Sequence, residues 1–244
     1  MKSKRVRFFL WHFFISICIS LISLFWVFNA WYPGPLAKAT NVTYIFLMLL
    51  AIDIILGPIL GFVVYNEKKK TLKFDLAVIF LLQLSALAYG VYSISQARPV
   101  WIVYNVDRFE LVRKNELIED NIQQAQLQFQ QPSWFKPEYA ATEFAKNTQQ
   151  RNKDMFAEVL GGISLAQKPE RYVDFTQAKA QIQNRAQPLK LLQQYNAKTE
   201  VEKILAKYPQ ATAFLPMKAN AVDMTVLIDI KGQVVKIVDL RPWQ

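Results

Sequence analysis

The sequence predicts an α-helical membrane bundle of three transmembrane helices followed by an α+β extracytoplasmic domain with a small antiparallel sheet. Three observations lead there. Three apolar runs, each near the roughly 20 residues that a hydrocarbon core of about 30 Å requires, occupy the first part of the 244-residue chain. Gln and charged residues concentrate after residue 97. Runs rich in β-branched and aromatic residues open and close that second part. The boundaries follow as 1–96 for the membrane domain and 97–244 for the outer one.

The first helix spans about residues 8–28, FFLWHFFISICISLISLFWVF. Its basic preface, MKSKRVR, resembles the start of a signal peptide, but the apolar stretch is too long and no small-residue cleavage site follows, so it reads as a retained anchor. The second spans about 44–65 and contains AIDIILGPIL; the third spans about 76–94. Lys2, Lys4, Arg5 and Arg7 precede the first helix, and Lys68, Lys69, Lys70 and Lys73 lie between the second and third. Only Lys38 lies in the remaining loop, which places the N-terminus in the cytoplasm and residues 97–244 outside it, in the periplasm of a Gram-negative cell.

The net charge of +10 divides accordingly. Residues 1–96 carry 9 Lys/Arg against 3 Asp/Glu, largely as orientation signals, and residues 97–244 carry 20 against 16. Basic residues scattered among acids make no clustered face for nucleic acid, which is excluded as a partner.

The outer domain begins almost without a linker. Pro99 stops the third helix, and Val100, Ile102, Tyr104 and Val106 alternate with Trp101, Val103 and Asn105 as a strand. At the other end, Met224, Val226, Ile228 and Ile230 share a face, and a turn at Lys231-Gly232 leads to a second strand through Val234, Lys236, Val238 and Leu240. The two regions are expected to pair in one antiparallel sheet. Helices are expected from Asn115 (NELIEDNIQQAQLQF), from Pro137 (PEYAATEFAKN), and over KDMFAEVLGG, DFTQAKAQIQN, PLKLLQQY and TEVEKILAKY.

Catalytic chemistry finds few residues to use. The single histidine, His12, and the single cysteine, Cys18, both fall in the first helix, so the outer domain has no Ser-His-Asp or Cys-His set and no zinc site of usual composition. No GxGxxG or GxxxxGK[ST] pattern occurs. Asp53 is alone in the membrane interior, whereas aspartyl proteolysis needs a carboxylate pair. Three helices without an inverted repeat do not suggest a transporter. No catalytic residue, cofactor site or metal site is assigned, and the chain reads as no enzyme.

The membrane part does contain an organised polar feature. His12, Ser16, Ser20 and Ser23 fall on one face of the first helix, where small hydroxyl residues permit close helix contact. Asp53 lies about 12 residues, or about 18 Å, from the cytoplasmic end of the second helix. At similar depth the third helix offers Ser85 and Tyr89, with Gln83 somewhat shallower. Asp53 is either an internal fastener or the contact for another protein's helix. Gly57 and Pro58 predict a kink whose freed carbonyls near Ile54 need a partner.

WYPGP at 31–35, the DxxLGPxL pattern at Asp53–Leu60, and DLAVIFLLQLSALAYGVYSISQARPV at 75–100 followed by VDRF at 106–109 resemble the type IV pilin accessory proteins, the TfpX/TfpZ family. The resemblance covers roughly the first 110 residues. It implies a non-enzymatic inner-membrane factor acting on the stability, assembly or surface display of the major type IV pilin, with the pilin, the pilus assembly platform and membrane lipids as partners. Residues expected to serve partner contact or structure are Asp53, Gly57, Pro58, Ser16, Ser20, Ser23, Gln83 and Tyr89 in the membrane. Outside it they are Trp31, Tyr32, Pro33, Gly34 and Pro35 as a rigid turn, with Trp31 and Tyr32 also suited to interfacial anchoring, and Arg98 and Arg108. The alternative is a membrane-anchored sensor domain that signals through a partner. The sequence leaves oligomeric state open.

Overall fold

The computed structural model describes residues 4–243. Lys2, one of the orientation charges, lies outside the described residues. Among the described residues, three helices are long and apolar enough to cross a membrane: Lys4–Trp31, Val42–Val64 and Leu72–Gln96. The first comprises α1 (Lys4–Trp26) and a π turn (Val27–Trp31); a short helix, α2 (Leu36–Ala39), follows in the loop, and the other two spans are α3 (Val42–Val64) and α4 (Leu72–Gln96). All three expected runs are thus helical; the first and third extend past both expected limits into polar flanking residues, and the second is shifted to 42–64.

The chain divides into two compact units. One holds Met1–Ala30 and Val42–Gln96, the other Trp31–Asn41 and Ala97–Gln244. In the helical unit, α3 buries Val42, Phe46, Leu50, Asp53, Gly57, Pro58 and Gly61. Steps of three and four residues place all but Pro58 in one stripe, with Pro58 beside it. The opposite side of α3 stays apolar and exposed at Ile52, Ile55, Leu56, Ile59, Leu60 and Val63, the composition a lipid solvent selects.

In the second unit, β1 (Pro99–Asn105) and β2 (Arg108–Arg113) form a hairpin. The chain continues through two single-turn 3-10 segments and α5 (Leu127–Gln130) to β3 (Glu138–Thr142), then α6 (Thr148–Gly161), β4 (Tyr172–Val173), α7 (Lys179–Arg185) and β5 (Gln187–Pro188). After α8 (Lys198–Leu205) come β6 (Ala213–Lys218), β7 (Met224–Ile228) and β8 (Val234–Val238). One sheet has the order β4-β3-β1-β2-β6-β7-β8, with β5 paired to β6.

This sheet corrects the expected small antiparallel one. It has eight strands and is mixed: β1 runs parallel to β3, and β2 parallel to β6. The β1 and β7–β8 regions do share it, but they are joined through β2 and β6 rather than paired directly. The missed strands account for the difference. The stretch from Pro137 forms β3, not a helix, because Tyr139, Ala140 and Ala141 pack against both sheet faces. The stretch from Asn115 forms short turns and the four-residue α5, which bury Ala125 and Phe129 against Trp101 and Tyr172. PLKLLQQY is a 3-10 helix, Leu189–Gln194. Elsewhere the reading agrees with the structure: α6, α7 and α8 fall on the remaining helical segments, and Gly232 takes a positive φ of 73° in the β7–β8 turn. Ile230 leaves its expected face for that turn, and Val106 leaves β1 for a hairpin bend at φ 59°.

β1 is buried along its whole length because both sides of the sheet are covered. Ile102 and Tyr104 join Phe109, Leu215, Met217, Met224, Val226 and Ile228 on one side. Trp101 and Val103 join Val112, Phe129 and Tyr172 on the other. Leu36 and Ala39, from the loop between the first two spans, are part of the first core. The Ala39 carbonyl accepts from Ala221 N at 3.0 Å and Val222 N at 3.2 Å, and Lys38 pairs with Asp239 at 2.6 Å. A segment about 60 residues away in sequence thus completes the sheet domain.

Leu36→Ala should therefore destabilise the sheet domain by about 2–4 kcal/mol, the usual cost of truncating a buried leucine. In denaturant titrations of the full chain followed at the tryptophans, an unchanged midpoint would contradict this packing.

Candidate functional site

The polar residues of the helical unit converge on Gln83. His12 Nε2 donates to Gln83 Oε1 at 2.9 Å, and its other ring nitrogen, Nδ1, is buried without a partner. Gln83 Nε2 donates to Ser16 Oγ at 3.0 Å and to the Asp53 carbonyl at 3.1 Å. One amide on α4 thereby links α1 and α3. The Asp53 carboxyl lies near the same amide and His12. Asp53 is only 8% exposed, so it faces the interior of this bundle.

Room for the amide comes from a glycine. A Cβ on Gly57 would lie 1.8 Å from Gln83 Oε1. Gly61, one turn on, would place a Cβ 2.9 Å from a ring carbon of Phe8, and Gly90 one 2.4 Å from Leu49 Cδ2. Gly57-xxx-Gly61 is the small-xxx-small spacing by which membrane helices approach closely. That spacing is legible in the sequence, whereas the central place of Gln83 among the candidate partners emerges only from the packing. Pro58 is buried and remains inside the continuous helix, and the carbonyl that gains an extra donor is that of Asp53, next to the expected Ile54.

The other expected membrane residues divide. Ser16 and Ser20 are buried, Ser16 bonded to Gln83 and Ser20 with no partner for its hydroxyl; Ser23 is half-buried. Ser85 and Tyr89 match Asp53 in depth but point outward, Tyr89 being 73% exposed. Depth fixes position along the helix axis and leaves the direction around it free.

At the end of the bundle where α1 starts, Arg5 caps α3. Its Nε donates to the Phe62 carbonyl at 2.6 Å, and its guanidinium stacks over the Phe62 ring at 4.2 Å. Cations suit helix C-termini, where carbonyls lack intrahelical donors.

In the sheet domain, Trp31 and Tyr32 are 4% and 1% exposed, so they are core residues and not surface anchors. Gly34 supplies the turn with a φ of 61°, flanked by partly buried Pro33 and Pro35. Buried Arg98 stacks over Trp134, with 5.0 Å to the ring centroid, and donates to the Ser133 carbonyl. Arg108 is part-exposed, pairs with the adjacent Asp107 at 2.8 Å, and lies over Trp243. Two polar clefts share Glu110, Gly162, Ser164 and Lys218. Asn105, lining one of them, donates to Glu110 and Ser164 and accepts from Thr142, so these groups satisfy one another. Among the described residues no cluster of three or more His, Cys, Asp or Glu could hold a metal ion.

Helix α6 reverses the usual arrangement. Its one buried residue is Asp154, held by Lys168 at 2.7 Å and Arg171 at 2.8 Å. Met155, Phe156, Val159 and Leu160 face outward, each more than half exposed. Burial opposes the charge on Asp154, but the two cations outweigh it and hold the carboxyl below its ordinary value of 3.8.

Two outcomes follow. Gly57→Ala should displace the Gln83 amide and cost about 1–2 kcal/mol, the scale of interhelical hydrogen bonds in membranes. Added to Gln83→Leu it should cost little more, since both act on one hub. Additive losses in a mixed-micelle unfolding cycle would refute the shared hub. Because the folded Asp154 has a depressed pKa, its contribution is complete at neutral pH and is lost as pH falls below 3.8. Asp154→Asn should loosen α6 by about 3 kcal/mol at neutral pH, read as faster amide exchange over 148–161.

The chain is similar along almost all of its length to known proteins. A family model described as fimbrial assembly protein FimB matches residues 2–40. The serogroup I fimbrial assembly protein of Dichelobacter nodosus is 29% identical over 243 residues, covering 96% of this chain and 94% of that one. The serogroup E1 protein of the same organism is equally similar. The protein of serogroups C1 and C2 is 33% identical over 116 residues, which is 47% of this chain and 88% of that relative. No solved structure matches. By these similarities the chain belongs to the fimbrial assembly protein FimB family.

Proposed function

We propose that this protein is a non-enzymatic inner-membrane accessory factor for type IV pilus biogenesis, of the TfpX/TfpZ kind, which assists the major pilin before or during assembly. The observation that carries the reading is similarity to fimbrial assembly proteins over 96% of the chain, so that it includes both the helical unit and the sheet domain. The N-terminus is cytoplasmic and the sheet domain periplasmic. Two contacts support that orientation: Lys4 pairs with Glu67 at 2.9 Å and Arg5 bonds the Phe62 carbonyl, which brings the two basic segments to one end of the bundle.

In this mechanism the bundle meets the pilin's hydrophobic helix and the sheet domain meets its globular head. Asp53 acts as an internal fastener, since its side chain is buried within the bundle beside Gln83, and the pilin helix packs on outward apolar faces. The outward row Met155, Phe156, Val159 and Leu160 supports the head contact: polar anchoring of α6 at Asp154 leaves those side chains unused by the fold.

Deletion of the gene should sharply reduce surface pili, and the wild-type chain should restore them. A Phe156→Glu, Leu160→Glu double variant should accumulate normally yet restore piliation poorly. Normal piliation in the deletion strain would end the accessory reading. Full complementation by the double variant would remove α6 from the contact.

A further inference from the structure

The loop 131–136, QPSWFK, exposes two adjacent aromatic side chains, Trp134 at 63% and Phe135 at 59%. Such a pair in water is unusual next to a domain that buries Trp31, Tyr32 and Trp101 almost completely. The loop is also pinned to particular places on the chain. Trp31 Nε1 donates to the Trp134 carbonyl at 2.9 Å. Arg98 donates to the Ser133 carbonyl at 3.2 Å and stacks on the Trp134 ring. Trp31 is the last residue of the first apolar span, and Arg98 lies two residues past the end of the third. Both pins are therefore at points where the chain leaves a hydrophobic helix.

We propose that this loop is a lipid-binding element, which places Trp134 and Phe135 in the headgroup layer of the bilayer that the three helices cross. The inference rests on the reading of those helices as membrane spans. Position selects lipid as the occupant: a loop tied within one side chain's length of two span ends lies at the level where indole and phenyl rings partition between hydrocarbon and water. Charge agrees with position. Lys136 follows the aromatics, and with Lys236 it lines a cleft of ≈ 320 Å³ whose other walls include Pro33, Pro35 and Tyr139. Two ammonium groups beside an apolar wall suit lipid phosphates. The role foreseen for Trp31 and Tyr32 thus passes to Trp134 and Phe135. The first pair is buried as the support, and the second is the exposed contact.

The test uses the full chain carrying Cys18→Ala, reconstituted without partner proteins into bilayers of phosphatidylcholine with phosphatidylglycerol. Nitroxide labels are attached singly at Trp134→Cys, Phe135→Cys, Leu56→Cys and Ile230→Cys. Leu56 is an exposed residue in the middle of α3, and Ile230 an exposed tip of the sheet domain. Backbone bonds to Trp31 and Arg98 survive substitution at 134, so the loop keeps its place. Collision rates with oxygen and with a water-soluble nickel complex then report depth. The expected ratio of oxygen to nickel collisions at 134 and 135 is intermediate, several-fold above that at 230 and below that at 56. Labels at 134 and 135 as aqueous as the one at 230, with 56 in hydrocarbon, would overturn the loop's role and leave the membrane spans standing. An aqueous label at 56 would overturn the spans and the loop together. Labels at 134 and 135 shielded from both reagents would show contact with a second copy of the chain and refute lipid as the occupant.

Discussion

In hydrocarbon a polar group finds no water, so whatever hydrogen bonds it makes must come from its own protein. For three helices long and apolar enough to cross a membrane, the Gln83 amide is the point that answers that constraint. Its oxygen serves His12, and its nitrogen serves Ser16 and the Asp53 carbonyl, so each of the three helices is tied to the other two through one side chain. The glycine at 57 follows from the same requirement, because the amide occupies the volume a Cβ would take. Asp53 then ceases to be an isolated charge in a membrane helix and becomes one member of a polar core.

The sheet domain has a comparable dependence on connectivity. Its core uses Leu36 and Ala39, which precede two membrane-length helices, together with residues after 97. The chain enters the domain, leaves it for α3 and α4, and returns to finish it. Ala39 bonds to the segment before β7, and Trp31 bonds to the loop before β3, so the WYPGP segment is a structural part of the domain. Its proline and positive-φ glycine turn the chain from the end of a long helix directly into a packed core.

Surfaces left over by these two constructions carry the functional argument. The bundle gathers Ser16, Asp53 and Gln83 inside and leaves apolar side chains such as Ile52 and Leu56 outside, while α6 keeps its acid inside and its apolar row outside. Both arrangements spend polar interactions on assembly of the fold and leave hydrophobic area for contact. Similarity to fimbrial assembly proteins extends over both units.

The three spans, their approximate limits, the terminal hairpin and the helices after residue 148 were legible in the sequence, because hydrophobic period and turn residues act locally. So was the polar character of the 12–16–20 face on the first helix and of Asp53. The strand at 138–142 was not: a proline followed by alanines reads as a helix start, and only a place between β1 and β4 makes it extended. The selection of Gln83 over Tyr89 as the membrane partner was equally out of reach. Both lie within two turns on the same helix, and which of them faces inward depends on how α4 is rotated against α3, with Gly57 and Gly90 allowing the approach. Trp31 and Tyr32 looked like interfacial aromatics for the same reason, since a sequence records their distance from a span but not the domain that folds over them. Local patterns determine where helices and turns form; which faces meet is decided by contacts between residues far apart in the chain, and those exist only once the tertiary structure has closed.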